Sequence, residues 1–205
     1  DLTADAAYNP DFSQVESDAG QVDFNVRYSL YYPEKRPFFM EGIEYFQFAA
    51  NPEDSPLRAI VYTRTIINPI FGFKATGKLG SKNTIASIYA HDDLPGDSAD
   101  RYPDFGIVRF RHSLRDDSYV GGFYTSRFQG SGFNQVAGTD GRFRLTGASV
   151  AEYHLFGSFT RNPGEESTLN GHALGLYYNY GTRSVYMDLG IQDISKYFQV
   201  DTGFI

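Results

Sequence analysis

The chain has 205 residues, enough for one domain or part of one, and its 41% hydrophobic and 21% charged residues exclude wholesale disorder. The absence of Cys excludes disulfides, a thiol nucleophile and Cys-ligated metals, and a net charge of −7 argues against a broad nucleic-acid surface. No apolar run is long enough for a spanning helix, but a spanning β-barrel stays open, because its strands alternate and escape hydropathy.

With 21 Gly, 16 Tyr and 18 Phe, the composition favours strands and turns. Leu2–Asn9 is a weak strand candidate. Gln21–Tyr32 is a strong one: Val22, Phe24, Val26, Tyr28, Leu30 and Tyr32 share a face in a strict period of two kept for over ten residues. Residues Pro33 to Gly42 have two prolines and dense charge beside Phe38-Phe39. They read as an ordered loop that buries aromatics, since Pro resists helix and central strand alike. Asn51–Pro56 reads as a loop and Arg58–Ile67 as a strand.

From Ile70 the pattern becomes regular. Strands are expected at Ile70–Leu79, Thr84–His91, Phe105–His112, Tyr119–Phe128, Asn134–Leu145, Val150–Thr160, Gly171–Tyr180 and Ser184–Gln192. Tight turns at Gly80–Asn83, Ser113–Ser118, Thr146–Ser149 and Gly181–Arg183 alternate with longer connections at Asp92–Asp104, Gln129–Phe133 and Arg161–Asn170. Short turns at one end and longer loops at the other describe an antiparallel up-and-down meander. Many strands have the length, about nine to eleven residues, that a tilted strand needs to cross a bilayer.

Alternation has two readings. A soluble barrel turns its apolar face inward, and a membrane barrel turns it to lipid. Phe71 and Phe73 oppose Lys74 and Lys78; Phe143 and Leu145 oppose Arg142 and Arg144. Long cations on one face and aromatics near strand ends on the other favour the membrane barrel.

Motif evidence for catalysis is thin. Gly72 to Lys78 nearly matches a phosphate-binding loop, but Leu79 stands where Ser or Thr would hold magnesium, and the stretch alternates as a strand. His91, His112, His154 and His172 lack metal-ligand spacing, and no Gly-x-Ser-x-Gly elbow occurs. The acidic loop Asp92–Asp104 lacks the EF-hand spacing and reads as solvated. No enzymatic activity, metal or other cofactor is expected.

Charge partition says more. Lys74, Lys78, Arg109, Arg111, Arg127, Arg142 and Arg144 lie within strands, Arg127 less cleanly because it shares a face with Phe123. If that face lines a lumen, its wall is basic. Asp11, Glu16, Asp18, Asp23, Glu34, Glu41 and Glu44 crowd the N-terminal third. A plug that pairs with the wall is favoured over a pathway for anions, because buried charges need partners. Glu34, Lys35, Arg36 and Glu41 would be its charged contacts, with Phe38 and Phe39 as packing anchors. The chain divides into an N-terminal plug-like segment, 1–68, and a meander, 69–205, of one barrel.

Two motifs, Asn9-Pro10-Asp11-Phe12-Ser13-Gln14-Val15-Glu16-Ser17-Asp18 and Tyr32-Pro33-Glu34-Lys35-Arg36-Pro37-Phe38-Phe39-Met40-Glu41-Gly42, the latter followed by Tyr62-Thr63-Arg64, carry a resemblance. The first third resembles an uncharacterised bacterial outer-membrane β-barrel family whose members often follow a family-9-type carbohydrate-binding domain. The resemblance implies the outer membrane of a Gram-negative bacterium, contact with its lipid, and an association with glycans or other outer-membrane proteins. The expected function is passage of a solute or docking of a partner. The alternatives are a soluble or surface-exposed β-domain that binds carbohydrate, and a hydrolase using Glu34 and Glu41, which no spacing supports. Strand parity further leads one to expect a partial barrel that continues past Ile205.

Overall fold

The computed structural model describes residues 1–10, 31–52, 55–96 and 100–203. The strongly alternating stretch 21–30, most of the first motif, and Asp11, Glu16, Asp18, Asp23 and Asp97 lie outside the described residues.

Nine strands follow one another in a single antiparallel sheet: β1 (Leu2–Tyr8), β2 (Pro69–Leu79), β3 (Asn83–Asp92), β4 (Asp104–Ser113), β5 (Tyr119–Gln129), β6 (Gly132–Thr146), β7 (Ser149–Arg161), β8 (Leu169–Gly181) and β9 (Tyr186–Ile194). Sheet order equals chain order, as a meander requires. Among the described residues β1 and β9 do not pair, so the sheet is open rather than closed into a barrel. The expected strands from Ile70 onward all form, with ends shifted by a residue or two. The connection at Gln129–Phe133 is tighter than expected: only Gly130 and Ser131 separate β5 from β6, and Gly130 takes the positive φ of 55° such a turn needs.

Register sorts the side chains into two faces, since directly paired residues point the same way. One row runs Lys74, Ile88, Ile107, Thr125, Val136, Ser158 across β2 to β7. A second contains Thr76, Ala86, Arg109, Phe123, Gly138, Phe156 and Ala173. Most side chains in these rows are buried. On the opposite face Phe71, Phe73, Tyr89, Val108, Phe110, Leu155, Phe159, Leu174 and Ile191 are exposed. The face carrying Lys74 and Arg109 is therefore the covered one, and the face carrying Phe and Leu is bare.

Two segments do the covering. Residues 31–68 supply Phe39, Phe46, Phe48, Leu57, Ile60 and Ile66, and residues 195–203 supply Phe198 and Val200; all join one core with the inner face of β3 to β8. A main-chain bond from Tyr62 N–H to the Thr202 carbonyl (2.7 Å) ties the two segments together. Phe123 shares this inner face with Arg127 because the face is mixed: aromatic where it meets the cover's rings, charged where it meets the cover's main chain.

Two local expectations are corrected. Within Pro33–Gly42 a single helical turn, α1 (Pro37–Met40), replaces a pure loop. Pro37 sits in its first turn, where a missing N–H costs nothing. Residues 58–67 form 3-10 turns at Pro56–Ala59 and Thr63–Thr65, not a strand. Ser55 Oγ accepts the Leu57 N–H and starts the first turn. Leu57 is buried within the first turn, and Ile60 and Ile66 are buried at the residue that closes each turn.

Phe39 is wholly buried at the centre of this cover. Phe39→Ala is expected to lower unfolding free energy by about 3–5 kcal/mol in denaturant titration. Removal of the exposed Met40 side chain by Met40→Ala is expected to leave it within about 0.5 kcal/mol.

Candidate functional site

An alternating strand presents every second residue to the inner face, so charges spaced by two collect there. Arg109 and Asp140 are among the most deeply buried of them, at 1% and 0% exposure of their side chains. They belong to β4 and β6, with β5 between. The guanidinium crosses β5 above Gly121, where any Cβ would overlap it, and donates to Asp140 Oδ2 at 2.8 Å. Arg109 also donates to the carbonyls of Phe110 (2.9 Å), Gly122 (3.1 Å) and Gln47 (3.3 Å).

The cover's main chain completes this network. Asp140 Oδ2 accepts the Ala49 N–H at 2.8 Å, and Glu152 Oε2 accepts the Ala50 N–H at 3.1 Å. His154, wholly buried, places Nδ1 3.3 Å from the Ala49 carbonyl, so Nδ1 carries the donated proton. Its ring stacks on Phe156 and meets Phe48 edge-on. Residues 49 and 50 are thus gripped by side chains of two strands, β6 and β7. The grip holds Ala50 in a left-handed conformation (φ 57°), which costs an L-residue roughly 1–2 kcal/mol.

Lys74 repeats the arrangement at the other end of the cover. Its ammonium, 2% exposed, donates to the carbonyls of Phe38 (2.9 Å) and Glu41 (3.1 Å), with the Glu41 carboxylate at 3.4 Å and Asp5 at 3.7 Å. Asp92, at the end of β3, accepts the N–H groups of Ile67 (2.8 Å) and Asn68 (2.6 Å) where the cover rejoins the sheet. Asn134 accepts the Asp201 N–H (2.9 Å) and donates to the Gln199 carbonyl (3.0 Å), holding the second covering segment.

The other expected contacts divide. Glu34 and Arg36 bond to each other rather than to the wall. Arg36 is buried, donates to the Ile66 (2.7 Å) and Thr63 (2.8 Å) carbonyls, and lies 4.4 Å over the Phe39 ring. Glu34 also accepts the Thr63 hydroxyl at 2.6 Å. Phe38 packs on Gly72, and Lys35 is exposed. Along the wall, Arg127 pairs with Asp201 (3.2 Å), Arg142 with Glu152, and Arg144 with Asp117 (2.9 Å). Arg111 lies over the Tyr119 ring at 5.1 Å, and Lys78 is exposed at the sheet's end.

Asp92, Asp140, Glu152, His154 and Asn134 were missed by sequence reasoning as parts of one network. The acidic loop, expected as solvated, is instead tied into the structure: Asp92 is buried, Asp93 pairs with Arg101 (2.8 Å), and Asp104 accepts from Tyr89 (2.6 Å). The signal available was charge at even spacing within strands, such as Asp140 opposite His154 in register. No cluster of three or more metal-ligating side chains occurs among the described residues.

The profile of a family described as Domain of unknown function (DUF5916) matches residues 1–51, roughly a quarter of the chain. That stretch runs from β1 through the gripped Ala49 and Ala50. No curated protein and no solved structure matches the chain.

Burial of Glu34 works to raise its carboxyl, but donors from Arg36 and Thr63 outweigh burial and hold it from 4.5 down to about 2. A carboxyl depressed on folding contributes stability above its unfolded value and loses it as pH falls from about 4.5 to about 2, by about 3 kcal/mol in all. Glu34→Gln is expected to remove most of that acid dependence, read as the pH profile of unfolding midpoints. At the grip, Arg109→Met alone is expected to cost about 3–5 kcal/mol, because it strands Asp140. The double variant Arg109→Met with Asp140→Leu should recover part of that loss in a double-mutant cycle.

Proposed function

We propose that the chain forms part of the wall of a bacterial outer-membrane β-barrel, with residues 31–68 seated on the lumen side as a plug. It is non-enzymatic and serves the passage of a solute or the docking of a partner. The carrying observation is the inverted sheet: Lys74, Arg109, Asp140 and His154 are covered, while Phe73, Val108, Phe110, Leu155 and Leu174 are bare. A water-soluble barrel buries its apolar face, whereas a lipid-facing wall exposes it.

The ends of the bare face fit that reading. Outward-facing Phe71, Tyr89, Phe128 and Phe133 cluster at one end, and Phe143, Tyr153 and Tyr178 lie toward the other. Aromatic girdles flank the apolar band of such walls. Polar outward pairs, His91 with Asp104 (2.9 Å) and His112 with Asn83 (2.7 Å), sit at the two ends, where water begins.

An open anion pathway has less support than a plug. Lys74, Arg109, Arg127, Arg142 and Arg144 all have carboxylate partners, and Lys74 and Arg109 also hold main-chain carbonyls. Cations so engaged offer little net attraction to a passing anion.

The lipid reading is tested at the middle of the bare face. Val108→Arg and Leu155→Arg are each expected to cost roughly 2–4 kcal/mol in bilayers, against about 0.5 kcal/mol or less for a water-facing site. Unchanged stability, or a monodisperse protein that refolds without detergent, rejects the reading. For the plug, Arg109→Met is expected to raise planar-bilayer conductance of the protein; identical current rejects the seal.

A further inference from the structure

The inner face is not wholly covered. On β9 the inner-facing Asp188 and Gly190 are exposed, and they border a cleft of about 430 Å³ shared with β7, β8 and the cover's residues 50–52. We propose that this cleft binds a small organic cation, a primary ammonium on a short hydrocarbon body. The site goes beyond the wall-and-plug reading and stands whether the bare face meets lipid or water.

Charge selects the ligand. Glu152, Asp188, Asn179 and Asn51 supply the polar groups of the lining, which includes no Lys, Arg or His. Register extends its two rows along the wall to Arg142, in the row of Glu152 and Gly190, and to Arg144, in the row of Asn179 and Asp188. Both of these cations are spent: Arg142 pairs with Glu152, and Arg144 pairs with Asp117. Among the described residues Asp188 accepts only from neutral donors, the Asn179 amide and the Tyr186 hydroxyl (3.4 Å). One negative charge of the cleft is therefore left without a counter-charge.

Hydrogen bonding points the same way. Asn179 gives an N–H to Asp188, which leaves its Oδ1 as an acceptor. Asn51 Oδ1 is buried with no hydrogen-bond partner among the described residues. A lining with acceptors to spare suits the three N–H donors of an ammonium. An anion meets the carboxylates as barriers. A neutral ligand would displace water from Asp188 and bring no charge in its place. A divalent metal takes about six oxygens or more, which one uncompensated carboxylate does not supply. Ala50, Pro52 and Gly190 complete the apolar part of the lining, against which the hydrocarbon body lies. The volume falls in the range of small-ligand sites, roughly 300–1,000 Å³.

The test is isothermal titration of the full chain in dodecyl maltoside micelles near neutral pH. The probe is benzylamine, protonated at that pH, with benzyl alcohol, benzoate and magnesium chloride as neutral, anionic and inorganic comparisons. Benzylamine is expected to bind about fivefold or more tightly than each comparison. Asp188→Asn, an isosteric change at an exposed site, is expected to weaken benzylamine binding about fivefold or more while the thermal midpoint is kept. No binding of benzylamine, a smaller preference over any comparison, or a smaller effect of Asp188→Asn overturns the site. Where the variant fails to fold, salt decides on the unaltered chain. Raising it from about 0.02 M to about 0.5 M is expected to weaken benzylamine binding severalfold by screening, and unchanged affinity overturns the site. The substitution Val108→Arg lies on the opposite face, so failure of the lipid reading and failure of this one are separately visible.

Discussion

The fold depends on satisfying charges that the sheet buries. Arg109, Asp140 and Lys74 project from strands onto a face with almost no access to water. An ion left alone there costs several kcal/mol, so each must find both a counter-charge and further hydrogen bonds. The Arg109–Asp140 pair supplies the first requirement. Main chain supplies the second: carbonyls of Phe38, Glu41 and Gln47, and N–H groups of Ala49, Ile67 and Asn68. A covering segment held this way needs a path more than a pattern. Its peptide groups are consumed by the wall, which is why it has short turns and no long helix or strand of its own.

The same requirement fixes which side of the sheet is bare. A face that carries Lys74, Arg109, Asp140 and His154 among apolar side chains cannot pack against a purely apolar layer. It packs against a cover that offers main-chain groups beside its rings. The Phe, Tyr and Leu residues one position away are then turned outward by the two-residue period alone. Gly121 shows how closely the arrangement is specified. Its missing side chain opens the diagonal by which Arg109 passes over β5 to Asp140, so a small residue on one strand serves a pair on its two neighbours.

Strand positions from β2 onward were legible from the sequence because each of those strands keeps its period over nine residues or more, and a one-residue slip would reverse both faces. Direction was only partly legible. Alternation is identical in a soluble and a lipid-facing sheet, and the argument from long cations opposite aromatics rested on type rather than position. The cover was less legible still. Pro33 to Gly42 was readable as aromatic and ordered, and Phe39 is indeed buried, but residues 58–67 resemble a strand in composition. The acids at 92, 140 and 152 could not be assigned, since their partners are peptide groups, and every sequence offers peptide groups everywhere.

Charge on the inner face also differs from its sequence-level sum. Counted by residue type, the wall looks basic. Counted by partner, Lys74, Arg109, Arg127, Arg142 and Arg144 are matched by Asp5, Asp117, Asp140, Asp201, Glu41 and Glu152, all but Asp117 on the wall's own strands or on the cover. What is left uncovered lies toward β9, where Asp188 and Asn179 face the open cleft and no cation is among the lining residues. The unpaired remainder is therefore acidic where the inner face is accessible. An anion meeting this surface finds its attractive groups already occupied and its accessible groups repulsive.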